Sequence, residues 1–309
     1  MAILSVVLVN YNGFRDTLDC IASLHASSLR DIDLIVVDNA STDGSVAQLR
    51  ATHPDLHLIC NTENLGFSAG NNVGIRRALE TDSGYVLLLN NDTIVDTRAL
   101  EVMIQTMEEN PEAGIVGAKI LYFDQPGTVW FAGGQFNRNS GFGKHFGLGK
   151  PDDGSFDAVR PCDFITGCCL LARREVFDQI GLLDEDFFAY LEDVDFCMRA
   201  RDKGFTILYQ PRARIHHKVS STTAWDSPLY LYFNLRNKIV FLRKRSRPAR
   251  WMPYIPLLVY YYLRQFARLI IKRRNAHAVR AAWWGLIDGL RNFTGTQGRG
   301  RVAQVETEQ

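Results

Sequence analysis

The sequence predicts an α/β protein: a doubly wound, mostly parallel central sheet followed by a helical extension. Three observations carry that prediction. Through the first 122 residues, short runs of β-branched residues and leucine alternate with segments of helical apolar spacing, the pattern of parallel βαβ units. The runs are apolar on both faces, as expected of strands covered by helices on either side. Several of them end in small clusters of Asn and Asp, and open α/β sheets bind ligands at the carboxyl ends of their strands. The expected sheet is therefore Rossmann-like.

Each element follows from its own pattern. Residues 3–9 form the first strand, and Phe14, Leu18, Ile21 and Leu24 then recur at helical spacing. Residues 34–37 give a second strand, followed by the loop "DNASTDGS" and the helix-like "VAQLR". A strand at 56–60 leads into "NTENLGFSAGNN" and a helix through Ile75 and Leu79. Residues 85–89 form the next strand. Asp96 then caps a helix with Leu100, Met103, Ile104 and Met107 on one face, closed by Asn110-Pro111. A further strand covers 115–122. The glycine-rich, aperiodic stretch 133–154 predicts a long mobile loop, a type that often serves as a lid. A helix begins near Glu192, with Val194, Cys197 and Met198 inward and Gly204 past its end. Within it, Asp195 and Arg199 stand four apart, the spacing of a surface pair or brace.

Composition sets the outer limits. With 309 residues, 46% hydrophobic and 22% charged, the chain is globular rather than disordered. Net charge is +1, but from Leu229 onward there are 16 Lys/Arg against 3 Asp/Glu, so an acidic body carries a basic tail region. That asymmetry points to an anionic partner for the tail. Six cysteines lack any CxxC spacing, which argues against zinc and a disulfide framework and suits reduced core thiols in a cytosolic protein. The opening "MAILSVVLVNYNG" lacks a basic region and a cleavage site, and is expected to be a strand rather than a signal peptide. The longest uncharged run of the tail, 251–263, has 13 residues, short of the roughly 20 that span a bilayer.

The polar strand ends are Asn10-Tyr11-Asn12, Asp38-Asn39 and Asn90-Asn91-Asp92. Each alone suits a turn, because Asn and Asp bond to nearby backbone. In a parallel sheet, however, the three ends share one edge, and together they favour a ligand crevice.

These pieces, with "NLGFSAGNNVG", "TGCCLLARREVFDQIGLLDEDFFAYLEDVDFCMRARDKGF" and "HHKVSST" following in order, resemble the family 2 inverting glycosyltransferases of the GT-A fold, rhamnosyltransferase-type members above all. The resemblance spans roughly residues 3–240. It implies transfer of a sugar from a nucleotide-sugar, with inversion at the anomeric carbon. Asp38, by its residues alone a turn residue or helix cap, becomes a nucleotide ligand. Asn10 and Tyr11 lie beside it, Tyr11 offering a ring for the base. Asn64, Gly66 and Asn72 line the nucleotide, with small residues admitting a close backbone approach. Asn91 belongs to the same donor set, and Arg236 touches the diphosphate. The D-x-D-like element is Asn90-Asn91-Asp92, so Asp92 is its one ionised ligand. His217 completes the site for a divalent cation, Mg²⁺ or Mn²⁺, while His216 faces the other side. Asp193 is the general base. Glu192 stands next to it on the acceptor side, and a simply capped helix start is the competing reading of both. Thr166-Gly167 matches the acceptor-side loop. Phe187, Phe188 and Tyr190 form a sugar-stacking wall or fill the core. No Gln-x-x-Arg-Trp follows Asp193, which implies addition of one or few sugars.

The expected organisation is a catalytic domain over 1–227, with a nucleotide half to about 122 and an acceptor half beyond it. A basic helical region covers 228–294 and a disordered tail 295–309. The expected donor is a dTDP- or UDP-sugar, rhamnose from dTDP-rhamnose among them, and the acceptor a polyprenyl-linked or cell-surface glycan. The basic region is expected to hold the enzyme on the anionic inner face of the cell membrane. A helical subdomain packed on the core and a homo-oligomer interface are its alternatives. No RNA- or DNA-binding motif is present, so nucleic acid is not expected. Two rivals remain: a nucleotidyltransferase, for which "NYNGFRD" is a poor phosphate loop, and an inactive nucleotide-sugar-binding scaffold, against which Asp92, Asp193 and His217 stand together.

Overall fold

The first seven elements of the computed structural model follow the expected alternation: β1 (Leu4–Asn10), α1 (Phe14–His25), β2 (Ile32–Asp38), α2 (Ser45–Thr52), β3 (His57–Cys60), α3 (Gly66–Leu79) and β4 (Tyr85–Asn90), with a short β5 (Thr93–Val95) following β4 directly. Then come α4 (Ala99–Glu109), β6 (Ala113–Tyr122), β7 (Thr128–Phe131), β8 (Gly134–Asn137), β9 (Phe142–His145), β10 (Lys150–Pro151), β11 (Arg160–Pro161), β12 (Cys169–Arg173) and α5 (Arg174–Ile180). The remainder is α6 (Glu192–Asp202), β13 (Thr206–His217), α7 (Pro228–Arg245), α8 (Pro248–Trp251), α9 (Ile255–Ala267), a π-helical stretch Arg268–Arg273, and α10 (Ala276–Leu290). The structure describes residues 3–219, 227–273 and 275–295. The Ser/Thr-rich loop after His217 and the expected disordered tail beyond residue 295 lie outside them.

Two compact units emerge. The first holds the described residues up to Gln135, with Lys144–Asp184 and Phe196–Val219. The second holds Phe136–Gly143, Glu185–Asp195 and the described residues from Ser227 onward. The second unit thus takes in two short segments from within the span 1–227, because α7 carries their anchors.

In the first unit, the sheet order is β10-β7-β6-β12-β4-β1-β2-β3, with β13 pairing β5, β6 and β11. Strands β3, β2, β1 and β4 are mutually parallel, and β12 enters antiparallel between β4 and β6. Leu4, Val6, Val7 and Leu8 of β1, Ile35, Val36 and Val37 of β2, and Val86, Leu87, Leu88 and Leu89 of β4 are almost fully buried. Helix α3 lies close on β1 because it is glycine-rich: a Cβ on Gly74 would stand 2.3 Å from Val7 Cγ1. The expected cap of α4 differs. The Asp96 carbonyl accepts from Ala99 N, but its carboxylate faces His216, and no side chain caps that helix.

The stretch 133–154 is not one long loop. It forms β8 and β9, a two-stranded sheet, and β10, which pairs with β7. Its end is held by Lys119, whose fully buried ammonium pairs with Asp152 and Asp157. Glycine-rich composition hid this, since four of its five glycines at positive φ (Gly133, Gly141, Gly147, Gly149) make tight turns around its short strands.

In the second unit, α7 and α10 pack closely through a small-residue stripe. A Cβ on Gly285 would stand 2.3 Å from the Tyr232 carbonyl oxygen, and Ala278, Ala281 and Ala282 are fully buried. Tyr262 of α9 donates to the Leu235 carbonyl at 2.8 Å. Among the described residues, no helix is long and apolar enough to cross a membrane. The six cysteines are unbridged, and burial pushes the thiols of Cys20 and Cys169 up to about 12, so they are inert core groups.

Candidate active site

The polar strand ends of the first unit do meet. The registers put Asn10 beside Asp38, Val9 beside Asn90, and Asp38 beside Cys60. Asn10, fully buried, is the hub: its amide nitrogen donates to Asp38 Oδ1 at 2.7 Å and Ser41 Oγ at 3.0 Å, and its oxygen accepts from Thr17 Oγ1 at 2.8 Å. Asp38 Oδ2 accepts from Ser41 N at 2.9 Å, closing the turn. The turn role of Asp38 is therefore real, and each oxygen keeps a second lone pair for a ligand. Two non-glycine residues on this edge, Asn12 and Ala40, have φ of +52° and +63°. Such conformations cost on the order of 1–3 kcal/mol and cluster at ligand sites. Tyr11 is 41% exposed beside this network. Ser41 and Thr17 were not singled out from the sequence, because isolated hydroxyls carry no signal there.

Asn64 and Gly66 start α3. Asn64 Oδ1 accepts from Gly66 N at 2.9 Å and from Asn39 Nδ2 at 3.2 Å, and Gly66 has the positive φ (+78°) that favours glycine. Asn72 departs from its expected nucleotide contact. It is 1% exposed, and its amide donates to the Leu183 carbonyl at 2.9 Å and accepts from Leu183 N at 3.0 Å, a structural tie. The small residues around it serve helix–sheet packing: a Cβ on Gly70 would stand 2.9 Å from Asn39 Nδ2.

At the end of β4, Asn91 turns back to bond Thr17 Oγ1 at 2.9 Å, bracing the neighbouring strand end. Asp92 precedes β5, which pairs antiparallel with β13 so that Thr93 lies opposite His217. That pairing brings Asp92 Oδ1 to 3.1 Å from His217 Nε2, both residues being buried. His217 Nδ1 is also buried and has no hydrogen-bond partner among the described residues. The ring stands edge-on to Trp130 at 4.7 Å, a wall that sequence reasoning missed. As expected of alternation in a strand, His216 faces Asp96 on the other side. No cluster of three His, Cys, Asp or Glu forms among the described residues. Among the described residues the donor set is therefore one carboxylate and one imidazole, which suits a divalent cation that takes its other ligands from substrate phosphate and water. Thr166 and Gly167 border the same edge, since the next carbonyl, of Cys168, accepts from Asn90 N at 3.0 Å.

In the second unit, Glu192 and Asp193 open α6. Glu192 is 4% exposed, with Oε2 buried and unpartnered among the described residues. Burial, and then the charge of Asp193, pushes its carboxyl well above the ordinary carboxylate range. Asp193 is half-buried, and its Oδ1 accepts from Val194 N at 2.7 Å. The chain enters this helix through Phe188, Tyr190 and Leu191 at φ of +64°, +69° and +72°, unusual for bulky residues. Phe187 and Phe188 fill the core, Phe188 stacking on Phe233 at 4.8 Å. Arg236 does not fit its expected diphosphate role. It is fully buried, with Nη2 donating to the carbonyls of Asp186 at 2.9 Å and Phe187 at 2.7 Å.

Residues 5–181 match the model of Glycosyl transferase family 2, more than half of the chain. The chain belongs to that family. It is a glycosyltransferase, and its fold is GT-A with a helical C-terminal part. The low-salt glycan biosynthesis hexosyltransferase Agl10 of Haloferax volcanii is 28% identical over 94% of this chain and 92% of its own length. The N-acetylglucosaminyl-diphospho-decaprenol L-rhamnosyltransferase of Mycobacterium tuberculosis is 28% identical over 81% and 88%. Among solved structures, the mannosyltransferase PcManGT of Pyrobaculum calidifontis, in complex with GDP-Man and Mn²⁺, aligns with a TM-score of 0.57. It covers 99% of this chain and 80% of its own at 15% identity, a likeness of fold. In this glycosyltransferase the matched segment takes in the strand-end edge and Thr166-Gly167, while Asp193, His217 and Arg236 lie beyond it.

Proposed function

We propose that this glycosyltransferase is an inverting, cation-assisted, non-processive enzyme that moves a sugar from a dTDP- or UDP-sugar to a polyprenyl-linked or cell-surface glycan acceptor. The observation that carries the proposal is the buried Asp92–His217 pair at the strand-end edge that also holds Asn10 and Asp38. Asp38, Tyr11, Asn64 and Gly66 are the nucleotide side of the site. Asp92 and His217 hold the cation, Mg²⁺ or Mn²⁺, which when bound neutralises the charge growing on the departing diphosphate. Asp193 accepts the proton of the acceptor hydroxyl as that oxygen attacks the anomeric carbon. The bond to the diphosphate breaks with its electron pair going to the leaving group, so one displacement inverts the centre. A positioned base of this kind contributes on the order of 10²–10⁴-fold. The name of the mycobacterial relative supports rhamnose and a polyprenyl diphosphate acceptor as the first pair to test.

We assign the enzyme to the cytoplasmic face of the cell membrane. In support, α9 and the π-helical stretch after it expose Leu257, Val259, Tyr260, Leu263, Ile270 and Ile271. Arg264 lies among them, as on helices that rest in a membrane interface.

The test is nucleotide release from a panel of dTDP-, UDP- and GDP-sugars with a membrane lipid extract, in Mn²⁺, Mg²⁺ or EDTA. Release with one dTDP- or UDP-sugar that stops in EDTA is the expected result. Release unaffected by EDTA overturns the cation assignment, and silence across the panel beside measurable nucleotide binding favours the scaffold rival.

A further inference from the structure

The acidic segment that carries Glu192 and Asp193 is held by one stripe of α7. Tyr230, Phe233, Asn237 and Lys244 recur at spacings of three, four and seven, one helix face. Tyr230 meets Tyr190 edge-on, Phe233 stacks on Phe188, and Lys244 pairs with Asp186. At the centre, Asn237 Nδ2 donates to the carbonyls of Phe187 at 2.9 Å, Ala189 at 2.6 Å and Tyr190 at 2.7 Å. Arg236 Nη2 takes the carbonyls of Asp186 and Phe187, while its Nε donates to Asn237 Oδ1 at 2.8 Å. That last bond fixes which way the Asn237 amide faces, since its oxygen must meet the guanidinium and its nitrogen the loop. Arg245 pairs with Asp195, one turn into α6. Of the carbonyls so bound, those of Phe187, Ala189 and Tyr190 belong to, or adjoin, residues at positive φ, a backbone that persists only where its surroundings over-determine it.

We propose that Arg236 and Asn237 are positioning residues for the Asp193 carboxylate: they fix the left-handed entry into α6 and so set where the carboxylate points. This rests on the reading of Asp193 as the base. It also gives much of the basic character of α7 an internal purpose, holding the acidic segment rather than meeting an outside anion.

The test measures nucleotide release from dTDP-rhamnose, or from the first donor that responds, with Mn²⁺ and the lipid extract. Wild type is compared with Asn237→Ala, Arg236→Lys, Asp193→Asn and the double variant Asp193→Asn/Asn237→Ala. Arg236→Lys keeps the charge but removes the fork that orients the amide, and serves if Asn237→Ala does not fold. The expected result is a kcat lowered on the order of 10²-fold, as for a reacting group displaced by about 1 Å. Donor KM and the stoichiometry of dTDP binding stay at the wild-type value, which excludes a smaller folded fraction. The double variant is no slower than Asp193→Asn, because both changes act through one group. Wild-type kcat in Asn237→Ala or Arg236→Lys, a loss confined to donor KM, or losses that multiply in the double variant overturn the inference. Full turnover by Asp193→Asn instead removes the base assignment, a separate failure read from that variant alone.

Discussion

At the scale of single residues, the candidate site sets buried polar side chains against one another. Asp92 and His217 face each other at 3.1 Å beside the Asn10–Asp38 network. Either Asp92→Ala or His217→Ala is expected to weaken Mn²⁺-dependent nucleotide binding at least tenfold while leaving metal-free binding unchanged, as titration calorimetry with and without EDTA would show. Glu192 gives a prediction for stability. Burial lifts its folded-state pKa above the ordinary carboxylate value, so over the pH range between the two the unfolded chain releases a proton that the folded chain keeps. Stability contributed by this group is therefore lost as pH rises through that range, and no difference exists below it. Glu192→Gln should melt higher than wild type at pH 8, by on the order of a few degrees, and equally at pH 4. An unchanged difference across pH contradicts this.

At the scale of elements, hydrophobic pattern was a good guide where strands are covered on both faces and helices on one. β1, β2 and β4 with their helices lie within a few residues of the runs read from sequence, and the polar strand ends share the edge that a parallel sheet dictates. What stayed hidden was set by distant partners. Nothing local announces that 133–154 folds as short strands tied by a buried lysine, that Asn72 ties down Leu183, or that Arg236 faces carbonyls. In each case the residue type was conspicuous and its partner lay far along the chain. Small residues were also double-edged: those of "NLGFSAGNNVG" suggested a ligand, yet Gly70 and Gly74 fit the helix to the sheet. Gly285→Ala tests the same physics in the second unit. Alanine favours helix by about 1 kcal/mol over glycine, but here its Cβ meets the Tyr232 carbonyl. The substitution should therefore destabilise, by about 1–3 kcal/mol, in chemical denaturation.

At the scale of the whole molecule, charge is divided between an acidic body and a basic C-terminal region. Part of that basic charge is internal, since Lys244 and Arg245 pair with Asp186 and Asp195 and Lys238 donates to the Gly141 carbonyl. The apolar surface of α9 remains exposed. Flotation with phosphatidylglycerol vesicles should capture the protein at low salt and less at high salt, and Leu263→Glu should reduce capture. Equal capture by neutral vesicles at every salt concentration contradicts an anionic surface as partner. In the proposed reaction Asp193 acts in turnover rather than in binding. The deciding measurement is nucleotide release by Asp193→Asn beside wild type, with dTDP affinity taken on the same samples in Mn²⁺. A rate lowered on the order of 10²–10⁴-fold with unchanged affinity is the predicted result. Wild-type turnover, or a loss that follows weakened dTDP binding, would contradict it.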